Sequence, residues 1–406
     1  MFLSYTVSNY KSIKEPVTLS FIADKGSEFA DTNTFPIDKN GAKGLKSLFL
    51  FGANASGKSN ILESFYAFNV ALRYGSYLGP TNGDTQEYWN VTPYLFDDDY
   101  RRKPTIFDVE VSIAEFKYLY HLELTQEKLV CEELYRYDGK RKKRIFTVSE
   151  KGITFGTSVK KEEKEHLSKI ASWTNNKTFL AAIAREKQKV LTEYNVVYYD
   201  LINILYIKYP QYTVSRAITA GYIGNVSNKK KVISMLRNAD SCINDVIVTE
   251  DKTSKIGYDI KFEYLIKGKK EYINYNMESD GNRKLFDLAA ILLVALESGL
   301  DTLLIIDELD NNLHPCIIDD LVDNYMQAKG HRQLLTSMHY TGLMNSLRRD
   351  QIVLVEKDKK ELTTTVATMA DFTGVRKDLD KEKAYLKGIF GATPFTSFDF
   401  NVKGGK

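Results

Sequence analysis

Gly52-Ala53-Asn54-Ala55-Ser56-Gly57-Lys58-Ser59-Asn60 is the stretch that decides the fold of this chain. Its first eight residues match the phosphate-binding pattern GxxxxGK[ST]. An apolar run, 46–51, precedes it, and the apolar spacing over 61–74 predicts a helix after it. Such a strand–loop–helix unit turns backbone N–H groups and the helix N-terminus toward phosphate. The pattern predicts a nucleotide site in which Lys58 contacts the β- and γ-phosphate oxygens and the Ser59 hydroxyl ligates Mg²⁺.

A pair of acids follows another apolar run and adds the second half of such a site. Leu303 to Ile306 is typical of a buried strand, and Asp307 and Glu308 come directly after it. Two acids are also common where a strand simply meets solvent, but a phosphate loop in the same chain favours a catalytic pair. Because parallel sheets bind ligands at the carboxyl ends of their strands, Asp307 is predicted to hold Mg²⁺ through water. Glu308 is predicted to be the general base that polarises the attacking water.

Composition excludes several classes of protein. A length of 406 residues allows two or three domains, and a hydrophobic fraction of 43% excludes a disordered chain. Lys and Arg number 56 against 53 Asp and Glu, so a polybasic protein is excluded although a local basic patch is not. Cys131, Cys242 and Cys316 are far apart and form no CxxC, which is typical of reduced thiols. With no signal-peptide pattern and no apolar run of membrane length, we expect a cytoplasmic protein without a membrane partner.

The remaining patterns predict an α/β nucleotide-binding core that carries an inserted helical lobe. The predicted elements are strands within 2–21 and 105–137, a loop-like stretch at 75–90, a charged and weakly structured stretch at 138–164, helices at 166–173, 179–209 and 229–238, strands within 258–275 and at 302–306, 334–337, 352–356 and 362–368, and helices at 280–298 and 316–329.

Four further stretches extend this interpretation to a family. With them the chain resembles ABC-class ATPases of the SMC/RecF/OLD type, and more closely the AAA-15/AAA-21 ATPases associated with abortive infection and anti-phage defence. The resemblance covers the start, middle and end of the chain and rests on Asn9–Ser12, Glu278–Lys284, Glu308–Pro315 and Gln333–Tyr340.

The resemblance implies an α/β fold: an ABC-type P-loop ATPase core with an N-terminal antiparallel β subdomain and an inserted helical lobe. Residues 1–150 would form the first half of the core with the P-loop and a β meander. Residues 151–250 would form the helical insertion. Residues 251–406 would supply the signature, Walker B, D-loop and switch histidine.

The resemblance also implies roles for residues outside the P-loop. Lys11 would lie near the nucleotide, although a surface turn is the alternative. Ser279 and Gly281 resemble the ABC signature, which acts on the γ-phosphate held by a second subunit. Asp280 stands where transporter ATPases have glycine, which implies slow or regulated hydrolysis.

Two histidines receive different interpretations. His339 would sense the γ-phosphate, and Asp310 of the D-loop would lie at the dimer interface. His314 is interpreted as a structural residue at a helix start.

The implied function is an ATPase that binds ATP and Mg²⁺ and forms a homodimer or a larger homo-oligomer. It would act as a sensor, switch or scaffold in an anti-phage complex with a separate effector nuclease, TOPRIM-like or HNH, triggered by a phage protein or DNA. Too little chain follows His339 for a further catalytic domain, so no nuclease activity of its own is expected. The alternative is a RecF/SMC-like DNA-binding repair ATPase, with basic stretches at 139–144 and 228–232 that are also typical of solvated loops.

Overall fold

The computed structural model describes residues 1–38, 41–81, 84–171, 176–186, 192–208, 213–297, 301–374 and 379–394. Its strands are β1 (Phe2–Ser8), β2 (Val17–Ser20), β3 (Thr34–Pro36), β4 (Lys43–Leu45), β5 (Ser47–Phe51), β6 (Tyr77–Thr81), β7 (Asp84–Tyr88), β8 (Thr105–Ile113), β9 (Phe116–Leu124), β10 (Leu129–Asp138), β11 (Arg141–Ser149), β12 (Gly152–Phe155), β13 (Ile204–Ile207), β14 (Ile243–Glu250), β15 (Tyr258–Ile266), β16 (Lys269–Asn274), β17 (Leu303–Ile306), β18 (Gln333–Ser337), β19 (Ile352–Lys357) and β20 (Thr364–Thr368). Its helices are α1 (Lys58–Tyr74), α2 (Asp98–Arg102), α3 (Lys161–Ala171), α4 (Phe179–Arg185), α5 (Thr192–Ile202), α6 (Thr213–Tyr222), α7 (Val226–Ala239), α8 (Asp280–Glu297), α9 (Pro315–Gln327) and α10 (Lys381–Leu386).

A mostly parallel sheet positions the phosphate loop. Its strand order is β13-β17-β18-β5-β19-β20, and β5 pairs in parallel with both β18 and β19. Every residue of β5 and β17 is buried, because helices cover both faces of the sheet. Leu48 and Leu50 pack in the same apolar cluster as α1, whereas Phe49 and Phe51 pack in the cluster that includes α8 and α9. The continuous apolar runs in the sequence are explained by this two-sided burial.

The N-terminal antiparallel β subdomain is confirmed and is larger than predicted. Its strand order is β12-β11-β10-β9-β8-β1-β2. The prediction of weak structure over 138–164 is wrong, since β11 and β12 extend the meander there. The charged residues at the start of β11 are largely exposed, while Ile145 and Phe146 are buried. The loop predicted at 75–90 likewise contains the hairpin of β6 and β7.

The segment 151–250 contains α3 to α7, in line with a helical lobe. The predicted helix over 179–209 is wrong, because the chain breaks into α4 and α5 and then forms β13. β13 pairs in parallel with β17 and so joins the core sheet. Strand β14 was also not predicted, and it forms a small antiparallel sheet with β15 and β16. The helical segment thus supplies an edge strand to the core sheet, and the boundaries at 150 and 250 remain predictions.

Every helix in the described part of the chain is too short or too polar to span a lipid bilayer.

Glu132 ties the β meander to α4. Its buried carboxylate accepts hydrogen bonds from the backbone N–H groups of Phe179 and Leu180 and from the Tyr120 hydroxyl at 2.9 Å. Burial raises the pKa of Glu132 to about 7, although these donors act in the opposite direction. The carboxyl group is therefore partly protonated at neutral pH in the folded protein.

This raised pKa predicts a pH-dependent contribution to stability. The folded-state pKa exceeds the ordinary value of 4.5, so the contribution is complete below pH 4.5 and disappears as pH rises through about 7. The Glu132→Gln variant should lack it, so the difference in free energy of unfolding between wild type and variant should change by about 3 kcal/mol from pH 4.5 to 8. Urea unfolding at several pH values measures it, with exposed Glu150→Gln as the control. A pH-independent difference would contradict the assignment.

Candidate functional site

A cavity of about 730 Å³ opens where the P-loop meets the carboxyl ends of β17 and β18. It brings together side chains from four separate sequence motifs. The residues that line it are Ser12, Asn54, Ala55, Ser56, Gly57, Lys58, Ser59, Asn60, Glu308, Asp310, Asn311, Asn312, Ser337, His339 and Lys357. The predicted P-loop, catalytic acid, D-loop and switch histidine therefore share one cavity.

The P-loop needs glycine at two positions. Gly57, immediately before α1, has a φ of 112°, and a Cβ there would lie 2.0 Å from Thr364 Oγ1. A Cβ on Gly52 would lie 2.3 Å from the carbonyl oxygen of Val355. Thr364 also donates a 2.9 Å hydrogen bond to the carbonyl of Ser56. Val355 of β19 and Thr364 of β20 therefore lie so close to the P-loop that neither glycine could be replaced without a shift of these neighbours.

Lys58 is buried within the loop that precedes it. Its ammonium donates to the carbonyl oxygens of Gly52 at 2.7 Å and Ala53 at 3.2 Å. Burial lowers the pKa of Lys58, and the nearby carboxylates, Asp307 first among them, oppose that effect. The cation is therefore oriented within the loop where phosphate oxygens are expected to bind.

A pair of hydroxyls surrounds the buried carboxylate of Asp307. Ser337 donates to Asp307 Oδ1 at 2.6 Å, and the Ser59 hydroxyl lies 3.3 Å from the same oxygen. The backbone N–H of Glu308 donates to the Ser337 hydroxyl at 2.7 Å. One hydroxyl and one carboxylate are hard oxygen ligands that fit Mg²⁺. Ser337 lies within the Gln333–Tyr340 stretch, but the sequence predicts no role for it, because a small hydroxyl at the end of a buried strand has no distinctive pattern of its own.

Glu308 begins a turn that reaches to the switch histidine. Its backbone is left-handed, with a φ of 51°, and its carboxylate accepts a hydrogen bond from Asn311 Nδ2 at 3.2 Å. Asp310 accepts a hydrogen bond from the backbone N–H of His339 at 2.7 Å. The D-loop and the segment of His339 are therefore joined directly, while the His339 side chain is exposed to the cavity.

Lys11 is a predicted site residue that lies outside this cavity. It forms an ion pair with Glu63 of α1, which also pairs with Lys208, and it does not line the cavity. Its neighbour Ser12 does so instead. The Ser12 hydroxyl accepts from Asn60 Nδ2 at 2.7 Å and lies 2.7 Å from Thr364 Oγ1. The Asn9–Ser12 motif thus contributes its serine, in place of its lysine, to the wall of the cavity.

The signature residues also lie outside the cavity of their own chain. Ser279 is exposed at the start of α8, where its hydroxyl accepts from the backbone N–H of Asn282 at 3.3 Å. A Cβ on Gly281 would lie 2.9 Å from the carbonyl oxygen of Asn312, so this helix start packs against the D-loop. The side chain of Asp280 is 61% exposed and pairs with Arg283.

His314 has the structural position expected of it. It precedes α9, and its Nδ1 accepts a 3.3 Å hydrogen bond from the backbone N–H of Cys316. This is a helix-capping contact, and His314 is not among the residues that line the cavity.

His121, Cys131 and Glu133 form a second cluster, on the antiparallel sheet, with ligand-type atoms within 4.8 Å of one another. The His121 ring nitrogens lie 2.8 Å from Asp108 and 3.1 Å from Glu123. Burial alone would lower the pKa of His121, but hydrogen bonds to these two carboxylates raise it. A metal ion would therefore have to displace a proton that two carboxylates already stabilise.

Comparison with known proteins gives a family match and a set of similar structures. Residues 47–345 match the family described as "AAA domain, putative AbiEii toxin, Type IV TA system". The chain is similar to an SMC head bound to the C-winged helix domain of ScpA (13% identity, 90% of this chain and 97% of that chain, TM-score 0.43). It is also similar to the SMC head domain from Thermotoga maritima (12% identity, 90% and 98%, TM-score 0.40). No curated protein sequence matches the chain. The matched segment contains the P-loop, the acidic pair and His339.

Proposed function

Because the chain belongs to the AAA_21 family and is an ABC-class ATPase of this type, we propose that it binds ATP·Mg²⁺ and hydrolyses ATP slowly. The observation that carries the proposal is the convergence of Lys58, Glu308 and His339 on one cavity, with Asp307 held behind it by Ser59. These groups come from three different segments of the sequence, and the cavity on which they converge has the volume of a nucleotide.

Each group has one task in the proposed reaction. The P-loop N–H groups and Lys58 bind the β- and γ-phosphates. Ser59 and Asp307 would hold Mg²⁺, which neutralises charge on the phosphates. Glu308 accepts the proton of the attacking water, and His339 lies on the cavity wall to contact the γ-phosphate. Asp280 places an acid beside the proposed signature, which favours slow turnover.

Each site is proposed to be completed by a second copy of the chain. Ser279 is exposed and outside its own cavity, and Met277 close before it is 77% exposed. A head-to-tail homodimer would place the Ser279 hydroxyl and the start of α8 of one chain on the γ-phosphate bound by the other. Single chains would then hydrolyse ATP poorly, and activity would rise with protein concentration.

Mixing two inactive variants tests this arrangement. Ser279→Arg leaves Glu308 intact, and Glu308→Gln leaves Ser279 intact, so a mixed dimer has one complete site. Each variant alone should hydrolyse ATP at a small fraction of the wild-type rate. A mixture made before ATP is added should recover up to about a quarter of that rate, the value for two independent sites, since half of the dimers are mixed and half of their sites are complete.

Phosphate release and light scattering measure activity and assembly in the same samples. Exposed Ser227 at the start of α7 provides the control, since Ser227→Arg should leave the rate unchanged. If no activity returns although mixed dimers form, Ser279 does not act between chains.

We further propose that nucleotide occupancy controls a separate effector nuclease, TOPRIM-like or HNH, in an anti-phage complex. Support comes from the resemblance to abortive-infection ATPases and from the toxin–antitoxin description of the family. Co-expression of the Glu308→Gln chain with its genomic neighbours, followed by size-exclusion chromatography with and without ATP·Mg²⁺, tests this role. Nucleotide-dependent co-elution of a nuclease would support it, and a bare dimer would contradict the effector part of the proposal.

The basic stretches do not favour the alternative of a DNA-binding repair ATPase. In the stretch 139–144, Lys143 pairs with Asp138. In the stretch 228–232, Lys229 pairs with Asp245 at 2.9 Å and Lys231 pairs with Glu297 at 2.6 Å. These carboxylates neutralise part of the positive charge of each stretch, so the basic stretches by themselves do not carry a proposal of DNA binding.

A further inference from the structure

A buried lysine lies beneath the turn that begins at Glu308. Lys284 of α8 is 3% exposed, and its ammonium donates hydrogen bonds to the carbonyl oxygens of Glu308 at 2.7 Å and Asn311 at 2.6 Å. Burying an ammonium is costly unless its hydrogen bonds are satisfied. The two carbonyls supply that compensation, and both belong to the segment that carries the proposed general base.

The turn that Lys284 contacts has a strained start. Glu308 has a left-handed backbone with a φ of 51°, a conformation that is strained for a residue other than glycine. Asn311 closes the turn by donating its backbone N–H to the Glu308 carbonyl at 3.2 Å and its side-chain amide to the Glu308 carboxylate. Lys284 therefore holds both ends of the turn that aims the carboxylate.

The same helix carries the exposed signature residues at its start. Gly281 lies within one turn of Lys284 and packs against the Asn312 carbonyl, and Ser279 directly precedes the helix, five residues before Lys284. A displacement at the start of α8 would reach the turn through the packing at Gly281 and the hydrogen bonds of Lys284. The path from the signature to the base of the same chain is therefore short and made of direct contacts.

The charge on Lys284 fits this position. Burial lowers the pKa of Lys284 to about 8, and the carboxylates of Asp310 and Glu308 oppose that effect. The ammonium is consequently retained at neutral pH, and its hydrogen bonds to the carbonyls are charge-assisted.

We propose that Lys284 is a positioning residue that couples the start of α8 to Glu308, so that engagement of the partner's nucleotide by Ser279 adjusts the general base of the same chain. This inference rests on the proposed function. It makes the two ATP sites of a dimer interdependent, because each chain gives its signature to one site and its base to the other.

Lys284→Met tests the coupling, because methionine keeps much of the apolar stem and removes both hydrogen bonds. We expect kcat for ATP hydrolysis to fall at least about 10-fold, while ATP affinity and the ATP concentration needed for dimerisation change less than about 3-fold. A role in folding alone would not produce this division between kcat and binding. Exposed Lys231→Met, on α7, is the matched control and should leave both quantities unchanged.

A double-mutant cycle with Ser279→Ala tests the link to the signature. If Lys284 transmits engagement by Ser279, the two losses in kcat should be less than multiplicative in the double variant. The inference would be overturned by a wild-type kcat in Lys284→Met or by equal losses of kcat and ATP affinity in that variant. It would also be overturned if the losses in kcat were multiplicative in the double variant. Failure of the proposed function would give a different result, because the wild-type chain would then show no ATP turnover that depends on Glu308.

Discussion

Replacing Glu308 by glutamine is expected to slow ATP hydrolysis at least about 100-fold while ATP still binds. Glutamine preserves the shape of the side chain, but it cannot accept a proton from water. The contact with Asn311 remains available, because the amide oxygen of glutamine also accepts a hydrogen bond. ATP that is bound and not consumed should stay between two chains, so the dimer should accumulate.

Two measurements on the same protein check this result. Single-turnover phosphate release gives the rate, and light scattering with ATP·Mg²⁺ gives the fraction of dimer. Glu297→Gln is a suitable control, since Glu297 ends α8 on the surface in an ion pair with Lys231. Hydrolysis at the wild-type rate in Glu308→Gln would assign the base to another group, and a monomer indifferent to ATP would contradict the dimer.

Replacing Lys58 by alanine is expected to lower ATP affinity at least about 100-fold, with activity falling to background. Charge-assisted hydrogen bonds contribute about 1.5–3 kcal/mol each, and Lys58 is placed to make more than one to phosphate. In the nucleotide-free chain its loss removes a cation whose pKa burial already lowers, so the fold should tolerate the change.

Titration with a fluorescent ATP analogue measures this loss, and circular dichroism establishes that the variant is folded. Lys231→Ala, which removes an exposed lysine, should bind the analogue normally. Wild-type affinity in Lys58→Ala would show that the nucleotide binds elsewhere than in the P-loop cavity.

The parts of the site that sequence could predict are those encoded by neighbouring residues. The P-loop is one continuous segment between an apolar strand and a helix, and Asp307 and Glu308 directly follow β17. Strands that are buried on both faces of a sheet are continuous apolar runs, and this pattern predicted β5 and β17 from the sequence. In these places local chemistry and tertiary position agree.

In other places, contacts with distant segments of the chain determine the local structure, and a local sequence pattern cannot predict those contacts. Ile204–Ile207 follows a helical run and has four apolar or aromatic residues, so it fits a helix as well as a strand. It becomes β13 because it pairs with the edge of β17. Single residues show the same limit, since Ser337 and Thr364 are ordinary hydroxyl residues until the fold places them beside Asp307 and Ser56.

Outside the P-loop, lysines were the least predictable residues of the site. Lys11 occupies the basic position of its motif, yet it pairs with Glu63, and Ser12 lines the cavity. Lys284 in a helix would ordinarily be expected to face solvent, but the packing of α8 against the D-loop buries it. Net charge and spacing do not distinguish these outcomes, because both depend on contacts between distant segments.

The position of β5 between β18 and β19 determines when the core sheet can form during synthesis of the chain. The ribosome delivers the apolar strand Ser47–Phe51 early and its two partners, Gln333–Ser337 and Ile352–Lys357, late. At 5–20 residues per second, β5 waits about 15–60 s for its neighbours. During that interval a nascent chain displays an aggregation-prone segment that chaperones would shield. A translation product that stops before β18 cannot assemble the nucleotide cavity, so interrupted synthesis releases no functional fragment of the ATPase.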